Sequence, residues 1–166
     1  MSEITIREER PADIAAIREV TRLAFEGLSY SDGSEPRIID RLREDGDLVL
    51  SLVAEDAGGI IGHIALSAVE VEDGTAGWFG LGPISVLPDK QRSGIGSLLM
   101  TEAINRKRER EAKGIVLLGD PAYYRRFGFV QDPKLTYPGP PPEYFQRLVL
   151  AGDPPTGEVR YAAAFG

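Results

Sequence analysis

The chain opens with Ile4-Thr5-Ile6, which alternates with period two and stops at the charged run Arg7-Glu8-Glu9-Arg10, the pattern of a short strand. The period then changes. Pro11 suits a first helical turn, and Ile14, Ile17, Val20 and Leu23 recur at every third position, giving one apolar stripe that ends near Gly27. Turn chemistry over residues 28–33 precedes a second helix, for which Ser34 is the expected cap. Pro36 lies in its first turn, Ile38, Ile39 and Leu42 face inward, and Gly46 follows its end. Two apolar runs, 48–54 and 60–67, flank Glu55-Asp56-Ala57-Gly58-Gly59 and read as a β-hairpin. A turn at Asp73-Gly74 leads to a strand over 78–87 that is broken by Gly80, Gly82 and Pro83, where regular ladder pairing should fail.

A third helix is expected from Gly94 to about Arg110, with Ile95, Leu98, Leu99 and Ala103 on one buried face and residues 106–110 solvated. Residues 115–119 form a short buried strand, and Asp120-Pro121 caps and opens a short helix ending before Gly128. In the tail, the stiff Pro138-Gly139-Pro140-Pro141-Pro142 segment precedes two strand-like runs, 145–150 and 159–164, with Gly152-Asp153-Pro154-Pro155 turning between them. The order of elements predicts an α/β domain of the α+β type, one mostly antiparallel sheet with helices packed over it.

With 166 residues the chain has room for one domain, and 42% hydrophobic and 27% charged residues exclude global disorder. No run of about 18 apolar residues exists, and the first residues lack the basic region and apolar core of a secretory signal, so a soluble cytoplasmic protein with no membrane partner is expected. The 19 basic residues against 26 acidic ones give a formal charge of -7, which argues against nucleic acid or an anionic bilayer as partner. Cysteine is absent, which excludes disulfides and a thiolate nucleophile, and the single histidine, His63, leaves too few ligands for a metal site.

Candidate chemistry concentrates in Val86-Leu87-Pro88-Asp89-Lys90-Gln91-Arg92-Ser93-Gly94-Ile95-Gly96-Ser97, a loop between a broken strand and a helix. Glycines 94 and 96 let a ligand approach the backbone, and the first N–H groups of the helix with its positive dipole end attract phosphate. The dinucleotide fingerprint fails because Leu99 stands where a third glycine is needed, and the Gly-Lys-Ser/Thr of a P-loop is missing.

In this context Gln91-Arg92-Ser93-Gly94-Ile95-Gly96 resembles the Q/R-x-x-G-x-G/A loop of the GNAT superfamily of N-acetyltransferases. Gly119-Asp120-Pro121-Ala122-Tyr123-Tyr124-Arg125-Arg126-Phe127-Gly128-Phe129 is similar to that superfamily's second signature, a tyrosine four residues before a Gly-Phe pair. The resemblance covers residues 3–130, with a motif core at 76–130 and a variable tail at 131–166, within a single domain spanning 1–166.

The resemblance implies a sheet of about six to seven strands flanked by about four helices and splayed between the fourth and fifth strands. Acetyl-CoA is the implied co-substrate: its pantetheine arm would meet the backbone of Ile84, Ser85 and Val86. Its pyrophosphate would sit on the N–H groups of Gln91, Arg92, Ser93, Gly94, Ile95, Gly96 and Ser97, with Arg92 also available. Transfer to an amine is implied to be direct, in a ternary complex that needs no covalent enzyme intermediate. Tyr124 matches the position of the acid that serves the leaving thiolate, and a phenol of ordinary pKa about 10 can act on a thiol of about 8.5. Tyr123 is expected to pack or to line the acceptor side.

The strand over 78–87 departs from the pattern of some relatives in lacking a carboxylate, so the base is unassigned among Glu70, Glu72 and His63, each of which also has a structural reading. The run Arg106-Lys107-Arg108-Glu109-Arg110-Glu111 reads as a solvated helix face, and Trp78 as core or interface. By analogy of fold, Tyr30, Asp32, Glu35 and the loop from 137 to 144 shape the pocket for an acceptor that is a small-molecule amine or a protein amino group. A homodimer is compatible with the resemblance. The competing readings are a non-catalytic acyl-CoA-binding sensor with the same fold and an unrelated nucleotide or phosphate-binding domain.

Overall fold

The computed structural model describes residues 3–166. The first alternating run forms β1 (Thr5–Glu8), the two amphipathic stretches form α1 (Ile14–Phe25) and α2 (Glu35–Asp45), and the hairpin forms β2 (Leu48–Asp56) and β3 (Gly59–Ala68). A short β4 (Glu70–Val71) precedes β5 (Trp78–Val86), α3 (Ile95–Glu109), β6 (Gly114–Leu118) and α4 (Pro121–Tyr124). The tail contributes β7 (Leu135–Thr136), β8 (Phe145–Val149) and β9 (Gly157–Arg160).

Six strands form the main sheet in the order β1-β2-β3-β5-β6-β8, and every neighbouring pair is antiparallel except β5 with β6. The expected mixed, mostly antiparallel sheet with four helices is what is found. One face carries α3, whose Ile95, Leu99, Met100, Ala103 and Ile104 pack with Leu52, Ile64, Leu66, Ile115, Leu117 and Phe129. On the other face, Ile17 of α1 and Ile39 of α2 meet Val53. Val71, Trp78, Val116, Phe145 and Val159 make a third cluster, so Trp78 is core. Its ring lies flat against the backbone of Gly114, where an added Cβ would meet Trp78 Cη2 at 2.3 Å.

Beyond Gly80 the strands β5 and β6 part. Only Trp78, Phe79 and Gly80 pair with Gly114, Ile115 and Val116. Afterwards β5 stays with β3, and β6 continues against β8. Just past the split lies Gly82-Pro83, where proline has no N–H to give and the β3–β5 register slips between Ile64/Ile84 and Leu66/Leu81. This is the expected splay between the fourth and fifth strands, displaced by one label because β4 is a separate short strand.

Four local expectations are corrected. Ser34 sits at the cap position of α2 but makes no side-chain cap bond; instead Asp32 Oδ1 accepts its N–H at 2.9 Å. Leu98 is 47% exposed, because at 100° per residue it lies opposite the arc set by Leu99, Ala103 and Lys107. Lys107 is not solvated: it is only 5% exposed, with Nζ lying 3.5 Å over the Phe79 ring. The second tail strand does not close the main sheet. Strand β9 ends at Arg160, before a 3-10 turn over Ala163–Phe165, and joins β4 and β7 in a separate three-stranded sheet. Glu72 Oε1 and Asp73 Oδ2 accept the N–H groups of Glu158 and Thr156 at 3.0 and 2.9 Å, and Tyr161 stacks between Tyr137 and Phe165.

Because Gly114 has no room for a methyl group beside a fully buried indole, Gly114→Ala should lower unfolding free energy by about 1–3 kcal/mol. Urea denaturation checks this, and an unchanged midpoint would contradict the packing described.

Candidate active site

The end of β5 turns through a 3-10 segment, Pro88–Lys90, into the glycine loop, and two side chains fold that loop. Gln91 Nε2 donates to the Val86 carbonyl at 3.0 Å, and Ser93 Oγ donates to the Lys90 carbonyl. Arg92 and Gly94 take left-handed conformations, with φ of 66° and 87°, which costs a non-glycine residue about 1 kcal/mol at position 92. The first amide of α3 with an acceptor is Leu98, bonded to the Gly94 carbonyl at 3.0 Å. Among the described residues, the N–H groups of 91–97 donate to nothing. They form the unsatisfied donor row that makes a helix N-terminus attract anions.

These donors border a cavity of about 360 Å³ lined by Val86, Gln91, Arg92, Gly94, Gly96 and Ser97 on one side and by Tyr123 and Arg126 on the other. Ser97 Oγ and Tyr123 Oη are 3.3 Å apart, and Arg126 lies 4.4 Å over the Tyr123 ring with Nε bonded to the Tyr123 carbonyl at 2.9 Å. Arg92, Arg126 and Lys90, whose Nζ lies 3.6 Å from Asp56 Oδ2, thus make a basic pocket in a chain of net charge -7. Ile84, Ser85 and Val86 occupy the half of β5 that has lost β6, so the predicted backbone-binding residues and the predicted anion loop are continuous.

Tyr124 stands at the end of α4, whose first turn is capped by Asp120 Oδ1 accepting from Ala122 N at 2.9 Å, as the sequence predicts. Its ring rests on Gly119, where a Cβ would lie 2.3 Å from Tyr124 Cε2, and is held edge-on by Tyr123 at 4.9 Å and Phe129 at 6.3 Å. The hydroxyl has no hydrogen-bond partner among the described residues. Burial first, then Tyr123, Tyr30 and Asp120, push its pKa up to about 12.

A family model for the acetyltransferase (GNAT) domain matches residues 47–131. The uncharacterised N-acetyltransferase YhbS of Escherichia coli K12 is 39% identical over 125 residues, 75% of this chain and 72% of that one. The chain belongs to the GNAT acetyltransferase family. A GNAT family acetyltransferase from Brucella melitensis, solved in complex with acetyl-CoA, shares 47% identity with a TM-score of 0.89 over 99% of both chains. Escherichia coli YhbS, solved in complex with CoA, shares 34% identity with a TM-score of 0.91 over 99% of this chain and 93% of that one.

Within this GNAT chain the acceptor-side expectations divide. Glu35, bonded to Ser31 Oγ at 2.7 Å, lines a cavity of about 210 Å³ at the α1–α2 junction with Arg22, Phe25 and Glu26. Tyr30, 79% exposed, is at the surface nearby. Tyr137 instead stacks on Phe145 and Tyr161 against the third cluster, and Tyr123 packs on Tyr124 and Phe127 while lining the loop cavity. Of the base candidates, exposed Glu70 lies 3.6 Å from Arg160, and Glu72 Oε1 accepts the Glu158 N–H at 3.0 Å. Among the described residues no group of His, Cys, Asp and Glu has a metal-binding arrangement, and no helix is long and apolar enough to cross a membrane.

His63 is fully buried, and its surroundings were not legible beforehand. Its Nε2 lies 2.7 Å from Ser51 Oγ, Ser51 Oγ donates to Glu9 Oε1, and Arg43 holds Glu9 with two bonds of 2.9 and 3.0 Å. The signal was present in the alternation of Ser51 between Leu50 and Leu52, which puts a hydroxyl on the α1 face diagonal to His63, whose direct cross-strand partner is Val53. Burial lowers the imidazole pKa to about 4; Arg43 adds to this and Glu9 opposes it. The unfolded chain therefore binds a proton near pH 6.5 that the folded chain refuses until about pH 4. Stability should fall by roughly 3 kcal/mol as pH drops through that window. In His63→Gln this component of the acid slope should vanish, as measured by urea midpoints at pH 7 and pH 4.5.

Proposed function

We propose that the protein transfers the acetyl group of acetyl-CoA directly to a primary amine of a small molecule or protein, with the whole chain acting as one domain. The observation that carries this reading is that the half of β5 whose β6 edge is open leads directly into the row of unpaired N–H groups over residues 91–97. The residues present fit the coenzyme. Seven free N–H groups with Lys90, Arg92 and Arg126 suit a pyrophosphate, and the open β5 edge suits an extended amide-bearing arm. When bound, acetyl-CoA supplies a thioester carbonyl for a neutral amine to attack.

The protein's part is positioning and proton management. With no cysteine, the chain offers no thiol on which an acyl group would be parked, which agrees with direct transfer in a ternary complex. Tyr124 keeps its proton throughout the working range, since its pKa is pushed up to about 12. Against a thiol of ordinary pKa about 8.5, outright transfer from such a phenol runs uphill, so its hydroxyl acts as a hydrogen-bond donor to the departing sulfur. The free hydroxyl supports that role, because no protein acceptor competes for it. Glu26 and Glu35 at the α1–α2 cavity favour a cationic acceptor.

Acetyl-CoA and CoA should each raise the melting temperature where ATP and NAD do not, a ligand at 100 times its Kd adding about 2.7 kcal/mol. No rise with either would end the proposal, and binding without thiol release across an amine panel would favour the non-catalytic sensor. Tyr124→Phe should lower kcat by about 10²-fold with cofactor affinity nearly unchanged. Gly94→Val, which forces a β-branched residue into a left-handed turn, should weaken acetyl-CoA binding by at least about 10-fold in calorimetry, with turnover lost in parallel.

A further inference from the structure

A direct transfer leaves one task that neither Tyr124 nor the glycine loop performs, removal of the proton from the incoming ammonium. No carboxylate lies on β5, and Glu70 and Glu72 are tied into the small sheet. The polar cluster under α1 offers a connected alternative. Ser51 has one hydroxyl proton and gives it to Glu9, so its oxygen must accept from His63. That fixes the imidazole as the Nε2–H tautomer and leaves Nδ1 with a bare lone pair. Nδ1 is buried and has no partner within the protein.

Its place in the sheet gives that lone pair a use. His63 is the cross-strand neighbour of Ser85, which sits in the splayed half of β5 and whose Oγ is likewise buried and unpartnered. An unpartnered buried polar group is destabilising, and His63 Nδ1 and Ser85 Oγ, on cross-strand neighbours beside the open seam, are two such groups that a polar visitor would satisfy. At the other end, Glu9 keeps a side chain 17% exposed and borders a cavity of about 380 Å³ together with Arg43, Ser51 and Leu48.

We propose that His63, Ser51 and Glu9 form a proton relay that carries the acceptor ammonium's proton from the β5 seam along one face of the sheet to solvent at its β1–β2 end; this rests on the amine-transfer reading above. The ammonium N–H bond breaks toward His63 Nδ1. The Nε2 proton moves to Ser51 Oγ as the Ser51 hydroxyl proton moves to the Glu9 carboxylate, and Glu9 releases it into the cavity. The amine keeps the electron pair it needs for attack. After the product leaves, Nδ1 yields its proton to water in the open seam and Nε2 is reprotonated from solvent by way of Glu9 and Ser51, so the starting tautomers return with one proton lost to solvent per turnover.

The charges around the imidazole suit a transient carrier. From β1 and the segment after it comes Glu9, and from α2 comes Arg43. The packed face of α1 presents Ile17, Val20 and Thr21, with the Thr21 hydroxyl given to the Ile17 carbonyl; β2 presents Ser51 and β5 presents Ser85. Burial tends to raise Glu9, but the bonds from Arg43 and Ser51 outweigh it and hold the carboxyl below its usual range, so it stands ionised and ready to accept. Neutral His63 does not store the proton, and Arg43 favours its onward release from Glu9.

The test is the pH profile of kcat/KM for thiol release from acetyl-CoA, from about pH 6 to about pH 10.5, with three probe amines: a lysine side chain in a capped peptide, a peptide α-amino group and spermidine. Ser51→Ala and His63→Gln should lose at least about 10²-fold near pH 7 and converge on wild type above the amine's own pKa, where solvent has already taken the proton. Ser51→Thr, which keeps the hydroxyl, should recover most of the loss. CoA-induced thermal shifts equal to wild type show that the variants are folded and load cofactor. If wild type transfers and the variants fall by one constant factor at every pH, or not at all, the relay is overturned while the amine-transfer reading stands. If wild type transfers to none of the probes at any pH, that reading falls and takes the relay with it.

Discussion

The architecture of the site depends on a failure of pairing. Strands β5 and β6 hold together for three residue pairs and separate after Gly80, and Gly82-Pro83 just beyond keeps them apart, because proline brings no donor and the β3–β5 ladder bulges there. A sheet normally satisfies its own amides and carbonyls and leaves nothing for a ligand. Here one strand stays packed on both faces while one of its edges loses its neighbour, so the open backbone is rigid. The clusters beneath α3 and around Trp78 flank the seam and keep it from closing.

Everything that follows along the chain extends that open edge. The glycine loop begins where β5 ends, is folded by Gln91 and Ser93, and passes into α3 without satisfying its N–H groups. Three cations gather there against the charge of the chain as a whole, which places a local anion site on an acidic protein. Tyr124 is brought alongside by the next β–α turn, and the absence of a side chain at Gly119 is what lets its ring lie down. The same strand that carries the open edge carries Ser85 toward His63, so positioning and proton handling share one element.

Much of this was legible in the sequence, for reasons that differ by element. The break in β5 could be read because glycine and proline have few other meanings inside an apolar run, and the anion loop because glycine spacing at a helix start constrains backbone directly. Tyr124 needed a resemblance, since one tyrosine among six carries no mark of its role. Register and helix phase were less visible. Leu98 and Lys107 exchanged places relative to expectation because three-residue spacing drifts around a helix, and long stems bury as readily as they solvate. The second tail strand left the main sheet because Glu72 and Asp73, which read as a solvated turn, bind its backbone instead. The cluster of Glu9, Ser51 and His63 could not be read from single positions, because it depends on cross-strand register between residues 42 and 12 apart.

The measurement that tests the central claim most directly is a backbone amide NMR titration with coenzyme A. The account predicts large shifts confined to the amides of residues 91–97 and the splayed half of β5, with ATP failing to reproduce the β5 component. Shifts centred on another surface, with the loop amides unmoved, would contradict the claim that the unpaired backbone is where the coenzyme lies.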